Sequence, residues 1–292
     1  MLVSMKDMLQ HALRDGYAGG QFNINNLEWV GAVLSTAQQC RSPVILGVSG
    51  GTAKHMLGLK CIHDIVVNAM EYLHIDVPVA LHLDHGTSRE ACEAAIAAGF
   101  SSIMFDGSHL PFRENLAITR HLVTLAHSKG ISVEAELGTI AGSEDGIVNS
   151  EVIYADPQEC YTLVTETQVD CLAAALGSTH GLYKGKARLG FTEMKAIAEQ
   201  VKVPLVLHGG TGIADEDMRR AIACGTAKIN VNTENMYAWC QQVKAIFAAD
   251  TGHDVNDPRK VIAQGLQPVR EMIARRMALF GSEQRYCRRA SG

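Results

Sequence analysis

The sequence predicts an α/β protein whose strands close into a (β/α)8 barrel (TIM barrel), a single domain over residues 1–292 with extra helices at its C-terminal end. Three observations predict it. Short apolar, β-rich runs recur eight times, stretches of helical spacing separate most of them, and the polar residues within those runs gather at one end of each. Strands that alternate with helices run parallel through right-handed crossovers, and eight such units bring the sheet back to its own first edge.

The eight runs are Tyr17–Ile24, Pro43–Ser49, Val77–Asp84, Ser101–Asp106, Ile131–Leu137, Cys171–Leu176, Pro204–His208 and Lys228–Val231. Between them, Ser88–Ala98, Glu114–Ser128, Pro157–Thr167, Thr192–Val201 and Ala214–Ala223 show helical periodicity. Asp215, Glu216 and Asp217 suit the positive end of the last of these helices, and Gly225 suits its exit. The longest irregular stretch, Gly138–Asp156, is rich in glycine and acid, and a long loop in a compact domain is more often functional than idle. Roughly the last 60 residues read as helices and loops outside the barrel.

Composition narrows the function classes. Of 292 residues 47% are hydrophobic and 20% charged, with a net charge of −5 and no basic run beyond Arg285-Tyr286-Cys287-Arg288-Arg289. Two or three arginines cannot supply the several phosphate contacts of a nucleic-acid interface, so neither nucleic acid nor a membrane surface is an expected partner. The eight cysteines stand singly, with no Cys-x-x-Cys pair, as expected of a cytoplasmic chain with core thiols. Neither a signal-peptide core nor a spanning apolar run is present in the sequence given.

In a barrel of this kind the loops converge at the C-terminal ends of the strands, where a site is assembled. The residues at those ends are Asn23, Ser49, Asp84-His85, Asp106, Glu136, His180, His208 and Asn230–Thr233. Three histidines at one rim, His85, His180 and His208, suit a catalytic zinc, because three imidazoles leave a coordination position open for a substrate oxygen. Asp106 and Glu136 face the same mouth; there they orient ligand imidazoles, offer a second metal position, or simply stand as rim charges held by hydrogen bonds. His82, within the third strand, reads as a satisfied core group or as a support behind the residues of the site. His208-Gly209-Gly210-Thr211-Gly212 and Asn230-Val231-Asn232-Thr233-Glu234 follow strands seven and eight, where this fold commonly binds phosphate. Glycines let the backbone approach an anion, and Thr233 is expected to cap a helix beginning at Glu234.

Five segments carry a resemblance over essentially the whole chain: Leu81-His82-Leu83-Asp84-His85-Gly86, Val133-Glu134-Ala135-Glu136-Leu137-Gly138, Ala175-Leu176-Gly177-Ser178-Thr179-His180-Gly181, Leu207-His208-Gly209-Gly210-Thr211-Gly212 and Lys228-Ile229-Asn230-Val231-Asn232-Thr233-Glu234. In order and spacing the chain resembles the class II fructose-bisphosphate aldolases, in the shorter subgroup that includes tagatose-bisphosphate aldolases. The resemblance implies zinc on His85, His180 and His208, with Asp106 and Glu136 at an alternative metal position. It implies Asp84 as the proton donor and acceptor at the C4 oxygen and Glu144 as the carboxylate that moves the proton at C3. Gly181, Lys184, Gly209, Thr211, Asn232 and Thr233, with Gly210 and Val231 in the same segments, would surround the C1 phosphate. Asn230 would meet the dihydroxyacetone portion, and Asn23, Ser49 and Arg259 the far phosphate. A monovalent cation, sodium or potassium, near Gly181 and Gly209 is typical of the family, as is a homodimer or homotetramer. Ala141 and Ser143 depart from the family's usual Gly and Glu or Gln, which bears on the hinge of the loop holding Glu144.

The implied reaction is reversible cleavage of fructose 1,6-bisphosphate to two triose phosphates, with tagatose 1,6-bisphosphate or another ketose phosphate as the alternative. A Schiff-base aldolase would need a desolvated lysine at a strand's catalytic end. Lys228 stands at the start of strand eight, which is the opposite face, and Lys184 and Lys186 lie in a Gly-rich loop.

Overall fold

The computed structural model describes residues 1–144, 147–149, 153–181, 187–249 and 257–286, with the backbone alone for 143, 144 and 147–149. Its eight barrel strands are β1 (Gly19–Asn23), β2 (Val44–Val48), β3 (Val79–Gly86), β4 (Ser102–Phe105), β5 (Ser132–Leu137), β8 (Cys171–Ala174), β10 (Leu205–Leu207) and β11 (Thr226–Val231). They hydrogen-bond in parallel in the closed order β1-β11-β10-β8-β5-β4-β3-β2, so every expected run is a strand and the sheet has no edge. The remaining strands, β6 (Ala141–Glu144), β7 (Ile147–Asn149) and β9 (Thr179–His180), form a small separate sheet in the order β7-β6-β9.

Helices α2 (Leu27–Cys40), α3 (Gly50–His55), α4 (Leu59–Tyr72), α5 (Arg89–Ala98), α6 (Phe112–His127), α7 (Pro157–Thr167), α8 (Phe191–Val201) and α9 (Asp215–Ala223) ring the barrel. Local chemistry starts them where expected: Ser88 accepts a hydrogen bond from the Ala91 amide at the head of α5, and Asp156 accepts from Gln158 and Glu159 at the head of α7. After β11 come α10 (Thr233–Ala249), α11 (Pro258–Gly265) and α12 (Gln267–Leu279), the last packed against both α2 and α10.

Alternation along the strands sorts the core into two regions, because successive side chains point to opposite faces. Val79, Leu81, Leu83, Val133, Ala135, Leu137, Ile229 and Val231 point outward into the large apolar cluster shared with the helices. The inward set begins at the N-terminal end with Ile45, Ala80, Met104, Cys171, Ala173 and Val206. That end is stoppered by α1 (Met5–Asp15), whose Met5, Met8 and Leu9 join the same cluster, an element the sequence reading did not pick out. Burying each such side chain contributes about 1.5–3 kcal/mol. Further up, the inward residues are polar: Gln21, His82, Glu134 and Lys228 are each fully buried.

Three expectations are corrected. The stretch Gly138–Asp156 is not wholly irregular: β6 and β7 pair antiparallel, and β6 pairs in parallel with β9, Ala141 opposite Thr179 and Gly142 opposite His180. Helix α10 begins at Thr233 and not at Glu234; the Glu234 amide donates to Thr211 Oγ1 at 3.3 Å, so the capping oxygen comes from the neighbouring loop and not from Thr233. Lys228 does not begin its strand: it is the third residue of β11, with its side chain fully buried.

Gly86, where β3 meets β4, has no room for a side chain: a Cβ would stand 2.6 Å from the Met104 carbonyl oxygen and 2.7 Å from Cys92 Sγ. Gly86→Ala should therefore cost about 1–3 kcal/mol in denaturant unfolding, whereas Gly31→Ala, in the middle of α2 with nothing within 4 Å, should add about 0.5–1 kcal/mol.

Candidate active site

Closing eight strands places their C-terminal ends around one mouth, and the inward residues there are the polar ones. His85, His180 and His208 come together: the ring centroids are 4.6 Å apart for His85 and His208, 5.0 Å for His85 and His180, and 5.8 Å for His180 and His208. One nitrogen from each ring lies within 4.8 Å of the other two. A second set, His85 with Asp106 and Glu136, meets the same limit, so both expected metal positions exist as geometry and share His85.

The backbone departs from regularity to do this. The pairing of β3 with β4 shifts between Leu83 and Gly86, and His85 within that shift has φ of +50°, uncommon for a residue with a side chain. Such strain, on the order of 1–2 kcal/mol, persists where the surroundings impose it, and it turns the imidazole into the mouth. His180 arrives differently, on the two-residue strand β9 held by β6.

The outer nitrogens are held by carboxylates, as expected for metal-ligating imidazoles. His85 Nδ1 lies 2.9 Å from Asp106 Oδ2 and 3.8 Å from Glu136 Oε2. Asp106 in turn accepts from the Ser108 amide and hydroxyl. His208 Nε2 lies 2.8 Å from Glu134 Oε1, which leaves Nδ1 on the side of the cleft, 3.2 Å from Asn230 Nδ2. The donor set therefore fits a divalent ion such as zinc: three imidazoles, two of them oriented from behind, beside carboxylates.

Glu134, which holds His208 from behind, is the residue of this cluster that reasoning from strand ends missed. It is completely buried, with Lys228 Nζ 2.8 Å and His82 Nε2 3.5 Å from Oε2. Burial would raise its pKa, but Lys228 and the hydrogen bond from His208 outweigh that and hold it well below the usual carboxylate range. His82 is buried as expected but only half satisfied: Nδ1 bonds Ser102 Oγ, whereas Nε2 has no hydrogen-bond partner among the described residues, and burial and the Lys228 charge press its pKa down to about 3. The period of two gave a signal for this layer: Glu134 precedes Glu136 by two, His82 precedes Asp84, and Lys228 precedes Asn230.

Asp84 is 1% exposed and accepts hydrogen bonds from Asn23 Nδ2 at 3.0 Å and Asn230 Nδ2 at 3.3 Å. Burial works to raise its pKa, but its neighbours His85, His208 and Lys228 outweigh that and hold the carboxyl well below the usual carboxylate range. Asn23, Ser49, Asp84, His180, Gly181, Gly209, Thr211, Asn230, Asn232 and Thr233 line one cleft, joined by Asn25, Thr52 and Met236, which the sequence reading did not name. Within this cleft the side-chain oxygens of Asn230 and Asn232 are buried without a hydrogen-bond partner among the described residues, an arrangement suited to a polar ligand. Gly209 has φ of +64° and a Cβ there would stand 2.3 Å from the Thr179 carbonyl oxygen, so only glycine lets the two loops meet.

Other expected residues sit differently. Gly210 and Val231 contribute backbone alone: the Gly210 amide donates to the Asn230 carbonyl, and the Val231 side chain is buried in the outer core. Ser49 also caps α3, accepting from the Thr52 amide. Arg259, at the start of α11, is 87% exposed in its side chain, bonded to Asp257 and not among the residues lining the cleft. Lys184 and the side chain of Glu144 lie outside the described residues; the Glu144 backbone ends β6, two residues beyond the Gly142 that pairs with His180.

This mouth defines a (β/α)8-barrel enzyme with a candidate metal site. The model of the class II fructose-bisphosphate aldolase family matches residues 3–285, and the chain belongs to that family, a group of metal-dependent lyases. It is 55% identical over 281 residues to the fructose-bisphosphate aldolase of Geobacillus stearothermophilus, covering 96% of this chain and 97% of that one. To the probable fructose-bisphosphate aldolase of Bacillus subtilis it is 52% identical over 281 residues, covering 96% and 98%. Among solved structures, the YdjI aldolase from Escherichia coli superposes with a TM-score of 0.86 at 32% identity, covering 98% of this chain and 100% of that one.

Removing Lys228 alone leaves the Glu134 carboxylate uncompensated inside the barrel. Lys228→Met should lower stability by about 3–5 kcal/mol, and the double variant Lys228→Met with Glu134→Gln should recover more than half of that loss in the same urea titration.

Proposed function

We propose that this chain, acting as a single barrel domain, is a zinc-dependent fructose 1,6-bisphosphate aldolase that reversibly forms dihydroxyacetone phosphate and glyceraldehyde 3-phosphate. The observation that carries the reading is the convergence of His85, His180 and His208 beside the buried, ionised Asp84. Relatives named fructose-bisphosphate aldolase, at 51% and 55% identity, support fructose over tagatose as the sugar.

Cleavage between C3 and C4 leaves negative charge on the dihydroxyacetone fragment, and the barrier falls only if that charge is met as it develops. The chemistry a zinc ion supplies at the three imidazoles is Lewis acidity toward the substrate's carbonyl oxygen. Asp84, held by Asn23 and Asn230, takes the proton from the C4 hydroxyl as the bond breaks and returns it in the reverse direction. Glu144, on β6, delivers the proton to C3 once the aldehyde has left. A fully buried Lys228 paired with Glu134 has no part in imine formation.

Gly181, Lys184, Gly209, Thr211, Asn232 and Thr233 bind the C1 phosphate through backbone amides and polar side chains at the N-terminal end of α10, while Gly210 and Val231 hold the two loops in place behind them. The unpartnered Asn230 oxygen meets the dihydroxyacetone hydroxyls. Asn23, Ser49 and Arg259 contact the far phosphate, which for Arg259 requires α11 to approach the cleft in the working enzyme. Asp106 and Glu136 would hold the ion in a second position, and a sodium or potassium ion near Gly181 and Gly209 would complete the phosphate subsite. No helix among the described residues is long and apolar enough to cross a membrane, and a cytoplasmic homodimer or homotetramer is the form we propose.

The test is a coupled triose phosphate assay on fructose and tagatose bisphosphates. Chelator treatment should abolish cleavage and zinc should restore it; Asp84→Asn should reduce kcat by about 10²–10⁴-fold while zinc content is unchanged. Chelator-resistant cleavage that borohydride traps, or full activity in Asp84→Asn, overturns the reading; faster turnover of the tagatose epimer transfers it to that sugar.

A further inference from the structure

The two loops assigned to phosphate run directly into helices whose first turns carry acid. Gly209–Gly212 leads to α9, which opens with Asp215, and Asn230–Asn232 leads to α10, which carries Glu234 at its second residue. A carboxylate at the positive end of a helix competes with any anion bound there. Left alone, Asp215 and Glu234 would repel the phosphate these loops are proposed to bind.

A single side chain from outside the barrel takes up both. Arg276, on α12, is 5% exposed, and its guanidinium binds Glu234 bidentately: Nε donates to Oε1 at 2.5 Å and Nη2 to Oε2 at 2.6 Å. Its remaining nitrogen, Nη1, donates to Asp215 Oδ1 at 3.3 Å and lies 3.5 Å from Met218 Sδ, both on α9. The backbone amide of the same Glu234 donates to Thr211 Oγ1, so the chain of contacts runs from α12 through the α10 terminus into the Gly209–Gly212 loop. A planar fork is what this geometry needs, since an ammonium cannot satisfy both oxygens of one carboxylate and still reach a second.

We infer that Arg276 is a positioning residue for the phosphate subsite: by bridging Glu234 and Asp215 it fixes the spacing of the two phosphate loops and offsets one of the two carboxylate charges, chiefly that of Glu234, that would otherwise oppose a phosphorylated substrate. This gives the C-terminal helix α12, remote from the reacting atoms, a direct part in substrate affinity. The inference rests on the phosphate assignment made above for those loops, and the experiment separates the two.

The measurements are the Kd of dihydroxyacetone phosphate by calorimetry on the zinc-loaded enzyme and the KM and kcat for fructose 1,6-bisphosphate, with thermal unfolding monitored on every variant. Arg276→Met should raise Kd and KM by about tenfold, as expected for one uncompensated charge near the anion, and lower kcat much less. Arg276→Lys should fall between it and the parent, and supplies the comparison if the Met variant does not fold. Adding Glu234→Gln to Arg276→Met removes the opposing charge and should bring Kd back to within about threefold of the parent, a rescue that a purely structural role would not give. A folded Arg276→Met with unchanged Kd, or a double variant no better than the single, overturns the inference. Asn232→Ala, which removes a cleft-lining side chain outside the Arg276 contacts, tests the phosphate subsite by itself: weaker binding there beside normal binding in Arg276→Met faults Arg276 alone, whereas unchanged binding in Asn232→Ala faults the subsite and the inference with it.

Discussion

A carboxylate in the middle of a barrel has no water to solvate it and must be neutralised by its neighbours. Glu134 stands there, with Lys228 and His208 each 2.8 Å from one of its oxygens, and much of the site follows from that requirement. Because Glu134 accepts from His208 Nε2, the ring is fixed in orientation and its other nitrogen is presented to the cleft. The Lys228 ammonium that pairs with Glu134 also acts on Asp84 and helps hold its carboxyl well below the usual carboxylate range. One buried cluster thus sets both an imidazole and the proposed base, although it touches no substrate.

The wall of the barrel carries a gradient of polarity. Met5, Met8 and Leu9 of α1 meet an apolar layer at the N-terminal end, the layer of Gln21, His82, Glu134 and Lys228 lies above it, and Asn23, Asp84, Glu136 and Asn230 stand at the rim. The apolar exterior shared with the helices stabilises the fold, which allows the interior to hold costly polar groups where chemistry needs them. The strained His85 and the shifted register of β3 are local costs of the same kind.

The eight strands and the gathering of His85, His180 and His208 were legible because hydrophobic runs and the barrel's topology leave few alternatives. Residues whose role depends on partners far along the chain were not. Glu134 and Lys228 read as ordinary strand positions until the period of two is applied from the rim downward, and Arg276 reads as one arginine among several in a C-terminal helix. The reassigned cap, Thr211 in place of Thr233, comes from contact between loops, which local propensity does not encode. Glycine and acid made 138–156 look irregular, although the backbone of β6 finds its partner in β9, some 38 residues later by the pairing of Ala141 with Thr179.

Aldol chemistry without an imine requires an electron sink, and in this chain three imidazoles are arranged to hold one. X-ray absorption at the zinc edge of the purified, zinc-loaded protein addresses that directly. One ion per chain with three imidazole nitrogens at about 2.0–2.1 Å, falling to two in His208→Ala, is the predicted result. A zinc ion surrounded by water and carboxylate oxygens, with a spectrum indifferent to the loss of His208, would contradict it.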